Sequence, residues 1–278
     1  MINFVICVKH PDNCYSYETT WQLLRNTLHS VCNQTDKNFK VLIVTNKILD
    51  NFEDDKNIFN VEFIEVDFLP PKMGKKLKQD HVNTGMEAIR FDRGSKYVRA
   101  LYHLSLNKSK EKEYVMFVDA DDFISCNLAK YINENQNYDL MGIYKSYFLL
   151  DSKRISLIDV FNLLCGTSNV MNLEYLLDEL YFEGLNKDNI TQSDIFNCSK
   201  EYYLKFIVGS HKHTLKYFSV KNNVEILDVN FPAAIYNCSH NEQHSAINAE
   251  TTANHRNFII SNLTDEIKKE FNIKLLWL

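Results

Sequence analysis

The stretch Tyr114-Val115-Met116-Phe117-Val118-Asp119-Ala120-Asp121-Asp122 limits what this chain can fold into more than any other. Four consecutive apolar residues, two of them β-branched, read as a strand buried on both faces, and the run then breaks into three carboxylates within four positions. A core does not accept that ending, so the strand must open onto solvent or a ligand. If the backbone stays extended across Asp119-Ala120-Asp121, the two-residue period sends Asp119 and Asp121 to the same side, where their charges converge. A hard divalent cation such as Mg²⁺ or Mn²⁺ relieves that repulsion, since these ions take oxygen ligands and are commonly held by one or two carboxylates. The competing reading makes Asp119 and Asp121 plain turn residues, with Asp122 capping a short helix near Asn127 to Asn135.

The segments before this strand alternate strand and helix. Phe4 to Val8 is a short apolar run closed by Lys9-His10-Pro11. Ser16 then suits a helix N-cap, with Glu18 in the first turn, and Tyr17, Trp21, Leu24, Leu28 and Val31 share one helical face. Phe39 to Asn46 reads as a second buried strand with Asn46 at its mouth, and Val61 to Asp67 as a third before the Pro70-Pro71 stop. This order predicts an α/β fold on a mainly parallel sheet with flanking helices and right-handed crossovers. Ligands of such sheets bind beyond the C-terminal ends of the strands, where the aspartates stand.

Asp92-Arg93-Gly94-Ser95 reads as the opening of a helix that carries Tyr97, Val98, Leu101 and Leu104 on its apolar face, with Arg99 beside them. Lys72, Lys75, Lys76 and Lys78, with Gly74 among them, form a basic run: a solvated surface or an arm that meets phosphate. Beyond the aspartates, Leu140 to Leu150 reads as one strand, Cys165 to Met171 as a strand edge open to close approach, Leu173 to Tyr181 as a helix and Thr251 to Phe271 as a closing helix. Val224 to Val229 and Ala233 to Tyr236 read as two short strands.

Bulk properties exclude several classes. Over 278 residues, 45% hydrophobic content supports a sizeable core, and a net charge of −5 argues against a nucleic-acid partner held by bulk electrostatics. Seven scattered cysteines without a Cys-x-x-Cys pair indicate neither a zinc site nor a disulfide framework, and fit a reducing cytoplasmic setting. No apolar run approaches the length of a spanning helix. The tail Lys274 to Leu278 could touch the inner face of a membrane, although five residues more often pack on their own domain.

Taken together, the helix ending in Gln34-Thr35, the strand Val41 to Asn46, the arginine-bearing helix and Phe117-Val118-Asp119-Ala120-Asp121-Asp122 resemble the nucleotide-sugar half of a GT-A glycosyltransferase, close to glycosyltransferase family 2. The second half is similar to bacterial proteins grouped as rhamnosyltransferases, through Gly166-Thr167-Ser168-Asn169, Pro232-Ala233-Ala234-Ile235 and His240-Asn241-Glu242-Gln243-His244-Ser245. In the last of these Asn241 and Gln243 depart from the pattern. The resemblance implies one Rossmann-like GT-A domain over 1–278, with 1–125 binding the nucleotide sugar and 126–278 the acceptor. It further implies a hexosyl transfer, in surface polysaccharide synthesis, from a nucleotide-sugar donor to a glycan or lipid-linked glycan. In that scheme Asp121, Asp119 and His240 hold Mn²⁺ or Mg²⁺, and Lys9, His10, Asn46, Asp67, Arg99 and Asp119 serve the donor.

An inverting transfer also needs a base for the acceptor hydroxyl. The Glu-Asp pair that family 2 places before a helix is missing here. His211 is the candidate base, His213 the second choice, and Asp194 and Glu183 are carboxylate alternatives. Two other readings use the same residues. A nucleotidyltransferase acting on a sugar phosphate would share the carboxylates, but lacks a Gly-rich loop after Val8. A non-catalytic sugar-binding module would keep the fold alone.

Overall fold

The computed structural model describes residues 1–52, 58–72, 84–185, 190–240 and 249–274. In chain order, the first half comprises β1 (Ile2–Cys7), α1 (Tyr17–Val31), β2 (Phe39–Thr45), β3 (Glu62–Glu65), α2 (Thr84–Leu106), β4 (Tyr114–Asp119), β5 (Phe123–Ile124) and α3 (Leu128–Glu134). There follow β6 (Leu140–Gly142), β7 (Ser146–Leu149), β8 (Arg154–Ile158), α4 (Phe161–Leu164), β9 (Asn169–Asn172), α5 (Leu173–Leu177) and α6 (Gln192–Asn197). A π-helical turn (Tyr203–Val208) leads to α7 (Thr214–Asn222), β10 (Ile226–Asp228), β11 (Ala234–Asn237), α8 (Ala249–His255), β12 (Ile260–Asn262) and α9 (Asp265–Glu270).

Among the described residues, seven strands form a mixed sheet in the order β10-β6-β9-β4-β1-β2-β3, with β4, β1, β2 and β3 mutually parallel. This is the α/β arrangement that the alternation of strand and helix predicts. The two-residue period of β4 explains its position. Tyr114, Met116 and Val118 point to one face, into a core shared with Trp21, Leu24 and Leu28 of α1, while Val115 and Phe117 point to the other, against Tyr97, Val98 and Leu101 of α2. With both faces covered, the strand has nowhere to place charge until it emerges at Asp119. The Ser16 hydroxyl caps α1 by accepting from the Thr19 N–H.

Several elements differ from expectation. The helix expected to open at Asp92 begins at Thr84, so Asp92 to Ser95 lie inside it. Leu140 to Leu150 is two strands in two sheets. At Gly142 the chain leaves the first sheet, where an added Cβ would stand 2.8 Å from the Tyr144 ring, and it enters the second sheet, β12-β8-β7-β11-β5, at Ser146. The segment read as a strand edge leads into β9, an interior strand antiparallel to both β4 and β6. The expected closing helix from Thr251 to Phe271 is interrupted. Asn257 takes a left-handed conformation (φ 53°), β12 pairs with β8, and Thr264 caps a new helix, α9. No described helix is long and apolar enough to cross a membrane.

Candidate active site

At the end of β4 the chain does not stay extended. The Asp122 N–H donates to the Asp119 carbonyl (3.2 Å), making a turn with Ala120 and Asp121 at its corner. The turn still presents Asp119 and Asp121 to one cleft, and it turns Asp122 inward. Neighbouring elements hold it from three sides. Helix α1 contributes the Thr27 hydroxyl, donating to the Ala120 carbonyl (3.0 Å), and the segment just after it contributes Gln34, whose amide donates to the Ser125 carbonyl (3.0 Å) and accepts from the Ala129 N–H (2.9 Å). The segment before β9 contributes the Thr167 hydroxyl, which accepts from the Asp119 N–H (2.9 Å) and donates to Asp122. From β11, the Asn237 N–H donates to the other Asp122 oxygen (3.2 Å).

Asp122 is fully buried and also accepts from the Cys165 thiol (2.8 Å), so it does not cap the helix that follows. Burial, then the Asp121 and Asp119 charges, push its carboxyl well above the usual range. Burial and the adjacent Asp122 likewise push the Cys165 thiol up. Asp119, Asp122 and Cys165 bring ligand atoms within 4.8 Å of one another, a group that could hold a metal ion. Two of its three members already satisfy each other through a hydrogen bond, and Asp119 is the member that lines the cleft. Asp122→Asn should retain the turn. It exchanges one acceptor for an amide donor facing Thr167 and Cys165, at a cost of about 1 kcal/mol in a denaturant titration. A loss of cooperative unfolding would contradict this supporting role.

The cleft, about 410 Å³, lies beyond the C-terminal ends of β1 and β4. Its side chains include six basic groups (Lys9, Arg90, Arg93, Lys96, Lys212 and Arg256) against three acids (Asp92, Asp119 and Asp121), a balance that attracts anions. The Lys96 ammonium is fully buried and donates to Asp92 (3.0 Å) and the Val8 carbonyl (2.9 Å). Arg93 faces Asp119 at 3.1 Å, and that carboxylate holds the guanidinium firmly protonated. Gly166 belongs to this contact: a Cβ there would lie 3.0 Å from Asp119 Oδ2 and 3.2 Å from Arg93 Nη1. Burial raises the Asp119 carboxyl even though Arg93 opposes it. Burial also works to raise Asp121, but the hydrogen bond and charge of His240, with Arg93, outweigh it and hold this carboxyl low. His240 Nε2 lies 3.0 Å from Asp121 Oδ2.

His211 also lines the cleft, partly buried, its ring donating to the Leu163 carbonyl and its buried Nε2 lacking a partner. Burial, then the Arg93 charge, lower its pKa to about 4, so the imidazole is neutral at neutral pH, well below the ordinary value of about 6.5. The Asn169 amide donates to the His211 carbonyl (3.1 Å) and holds this loop against β9.

Of the residues singled out from sequence, Lys9, Asp119, Asp121 and His211 line the cleft, and His240 reaches it through Asp121. The others do not line it. His213 precedes α7, exposed, and lines a separate concavity. Arg99 lies six residues beyond Arg93, on another side of α2, with its guanidinium over the Tyr102 ring (5.8 Å). Asn46 ties β2 to the chain after β3, donating to the Val66 (3.2 Å) and Phe68 (2.9 Å) carbonyls. Asp67 is exposed beside that tie. His10 is absorbed in a local turn, accepting from the Asp12 N–H (3.1 Å). Asp194 is spent in a reciprocal cap with Thr191 at α6, and Glu183 is exposed. Lys75, Lys76, Lys78, 241–245 and 275–278 lie outside the described residues. Arg93 and Asn169 were not singled out individually as site residues. The signal for Arg93 was present, since Ile89, Arg93 and Tyr97 recur at four-residue steps on one helical face.

No family model matches the sequence, and no curated protein matches it. Among solved structures, that of S. aureus TarS aligns over 84% of this chain and 36% of its own, at 14% identity and a TM-score of 0.46, so this chain spans about a third of that protein's length. Glucosyl-3-phosphoglycerate synthase from Mycobacterium tuberculosis, in complex with Mn²⁺, uridine-diphosphate-glucose and phosphoglyceric acid, aligns over 92% of this chain and 76% of its own (9% identity, TM-score 0.40). CTP:phosphocholine cytidylyltransferase from Streptococcus pneumoniae aligns over 92% and 98% (9% identity, TM-score 0.41). All three likenesses are remote, and the site's chemistry stands on its own residues.

Proposed function

We propose that this chain is a metal-dependent glycosyltransferase of the GT-A type, moving a sugar from a nucleotide-sugar donor to a glycan or glycoconjugate hydroxyl with inversion. The observation that carries this reading is the Asp119-Ala120-Asp121 turn, which opens two carboxylates into a basic cleft that a neutral imidazole also lines. In this proposal Asp121, Asp119 and the His240 nitrogen, which lies 3.0 Å from Asp121 Oδ2, would hold Mn²⁺, or Mg²⁺ if the imidazole is not used. When bound, such an ion supplies Lewis-acid stabilisation of the diphosphate leaving group.

The chain's own residues supply the rest. Arg93 neutralises and orients Asp119, while Arg90 and Lys212 at the cleft wall favour a polyanionic ligand. The Nε2 of His211 is free to accept the proton of an acceptor hydroxyl as that oxygen attacks the sugar carbon. The same unpartnered nitrogen favours sugar transfer over nucleotidyl transfer, because attack by a phosphate oxygen requires no proton to be removed. The division of 1–278 into a donor-binding half and an acceptor-binding half belongs to this proposal.

A thermal-shift panel of nucleoside diphosphates and nucleotide sugars with Mn²⁺ tests the reading. A ligand at about 100 times its dissociation constant should stabilise the chain by about 2.7 kcal/mol. If no member of the panel stabilises it, the reading is wrong. His211→Ala should lower transfer by about 10²-fold while leaving that stabilisation in place. Because His211 sits at about 4, wild-type turnover should hold level down to about pH 5.5 and fall only as pH approaches 4. Near-normal turnover by His211→Ala, or half-activity near pH 6.5, would remove His211 as the base.

A further inference from the structure

The loop Gly209 to His213 separates two concavities. Gly209, Ser210, His211 and Lys212 line the cleft, and His213 lines a second hollow of about 410 Å³ with Tyr202, Lys216, Tyr217, Val220 and Lys221. Four extended residues span at most about 14 Å, so a ligand a few sugar units long can bridge both. An aromatic path runs the same way. The Arg90 guanidinium, at the cleft, lies 6.0 Å from the Phe206 ring centroid, and the Phe206 and Tyr202 rings are 5.5 Å apart at 31°. Tyr202 is 55% exposed and Val220 73% exposed, so the hollow offers two apolar groups to a ligand.

The geometry points to this second hollow as a binding subsite for an acceptor glycan chain bearing anionic groups, with its reactive end in the cleft beside His211. This assignment rests on the glycosyltransferase reading. Two features select that occupant. The exposed Tyr202 ring, which lines the hollow, carries the negative lobe of the ring quadrupole on its faces and suits the C–H face of a sugar ring. Lys212 and Lys216 are exposed and form no ion pair among the described residues, so they are available to carboxylate or phosphate groups. The remaining charges argue for sparse anions. Glu179 holds Lys221 and the Tyr217 hydroxyl, and Glu201 holds Lys205, so part of the positive charge around the hollow is already neutralised, which suits spaced anions better than a contiguous nucleic-acid backbone.

Isothermal titration of the whole chain tests this with oligogalacturonate, a phosphodiester-linked oligosaccharide, a maltooligosaccharide of equal length, a single-stranded oligonucleotide and phosphatidylglycerol vesicles. One or both anionic sugar chains should bind in a salt-sensitive way, and the uncharged chain more weakly. Tyr202→Ala and Lys216→Ala should each weaken the anionic chain by about tenfold. Lys216→Glu should weaken it further and leave the uncharged chain unaffected. Both side chains are exposed, so the variants should unfold at the wild-type temperature and bind nucleoside diphosphate with Mn²⁺ as wild type does. Equal binding of charged and uncharged chains, tighter binding of the oligonucleotide or vesicles, or wild-type affinity in the variants would overturn the subsite. If nucleoside diphosphates fail to bind while the anionic chain binds at Tyr202 and Lys216, the glycosyltransferase reading falls and the glycan site stands. If nucleoside diphosphates bind and neither anionic chain does, the subsite falls alone.

Discussion

Asp121→Asn should fold normally, lose its Mn²⁺-dependent stabilisation by nucleoside diphosphates and lower sugar transfer on the order of 10³-fold. The substitution keeps the side chain's volume, and its amide oxygen can still meet His240, which lies 3.0 Å from Asp121 Oδ2 in the wild type. What it removes is the charge. Asp121 is the one carboxylate of the turn held low, whereas burial raises both Asp119 and Asp122. At neutral pH the turn therefore presents its most dependable negative charge at Asp121, and Asp119 shares its charge with Arg93. Losing a preorganised charge of this kind costs about 2.7–4 kcal/mol in the transition state. A variant that binds Mn²⁺ and nucleotide as the wild type does would move the metal reading to the group of Asp119, Asp122 and Cys165.

The strands of the first half are legible because each is an apolar run ended by a polar mouth, and parallel strands buried on both faces leave that mark. Helix α1 is legible for a related reason, having one apolar face and a serine cap. The start of α2 is not, because Asp92-Arg93-Gly94-Ser95 has the composition of a helix opening. Only the contact with the π-helical turn, far away in sequence, explains a glycine in mid-helix. The same limit applies to Leu140 to Leu150, an apolar run whose division between two sheets depends on what Gly142 and Ser146 meet.

The site follows this division. Three adjacent carboxylates behind an apolar strand are conspicuous in any sequence. Their separate roles are not, because these come from contacts with other segments: Asp119 with Arg93 and Thr167, Asp121 with His240, Asp122 with Cys165 and Asn237. The inward turn of Asp122 depends on a hydroxyl and a thiol more than forty positions away. Arg99 and His213 show the converse, residues of the right chemistry that helical geometry and burial carry away from the cleft.

Gly94→Ala should destabilise the chain by about 3 kcal/mol, although helix propensity alone predicts a gain of about 1 kcal/mol for replacing a mid-helix glycine. A Cβ on Gly94 would lie 2.1 Å from the Leu204 carbonyl oxygen and 2.8 Å from its carbon. Both are backbone atoms of the π-helical turn and cannot swing aside as a side-chain tip would. Gly209 meets the same elements from the other direction, its added Cβ falling 2.2 Å from the Arg90 oxygen and 2.3 Å from that of Leu204. The two glycines thus let α2 and the π-helical turn approach closely, which sets Arg90 and Arg93 against the loop carrying His211 and Lys212. At about 3 kcal/mol in a chain of this size, the unfolding midpoint should fall by about 5 °C. The fraction that still folds should bind nucleoside diphosphate less tightly, since the two walls of the cleft are forced apart. A Gly94→Ala variant with a raised midpoint would mean that propensity outweighs packing here, and that the close approach of α2 to residues 203–209 is not what holds the cleft together.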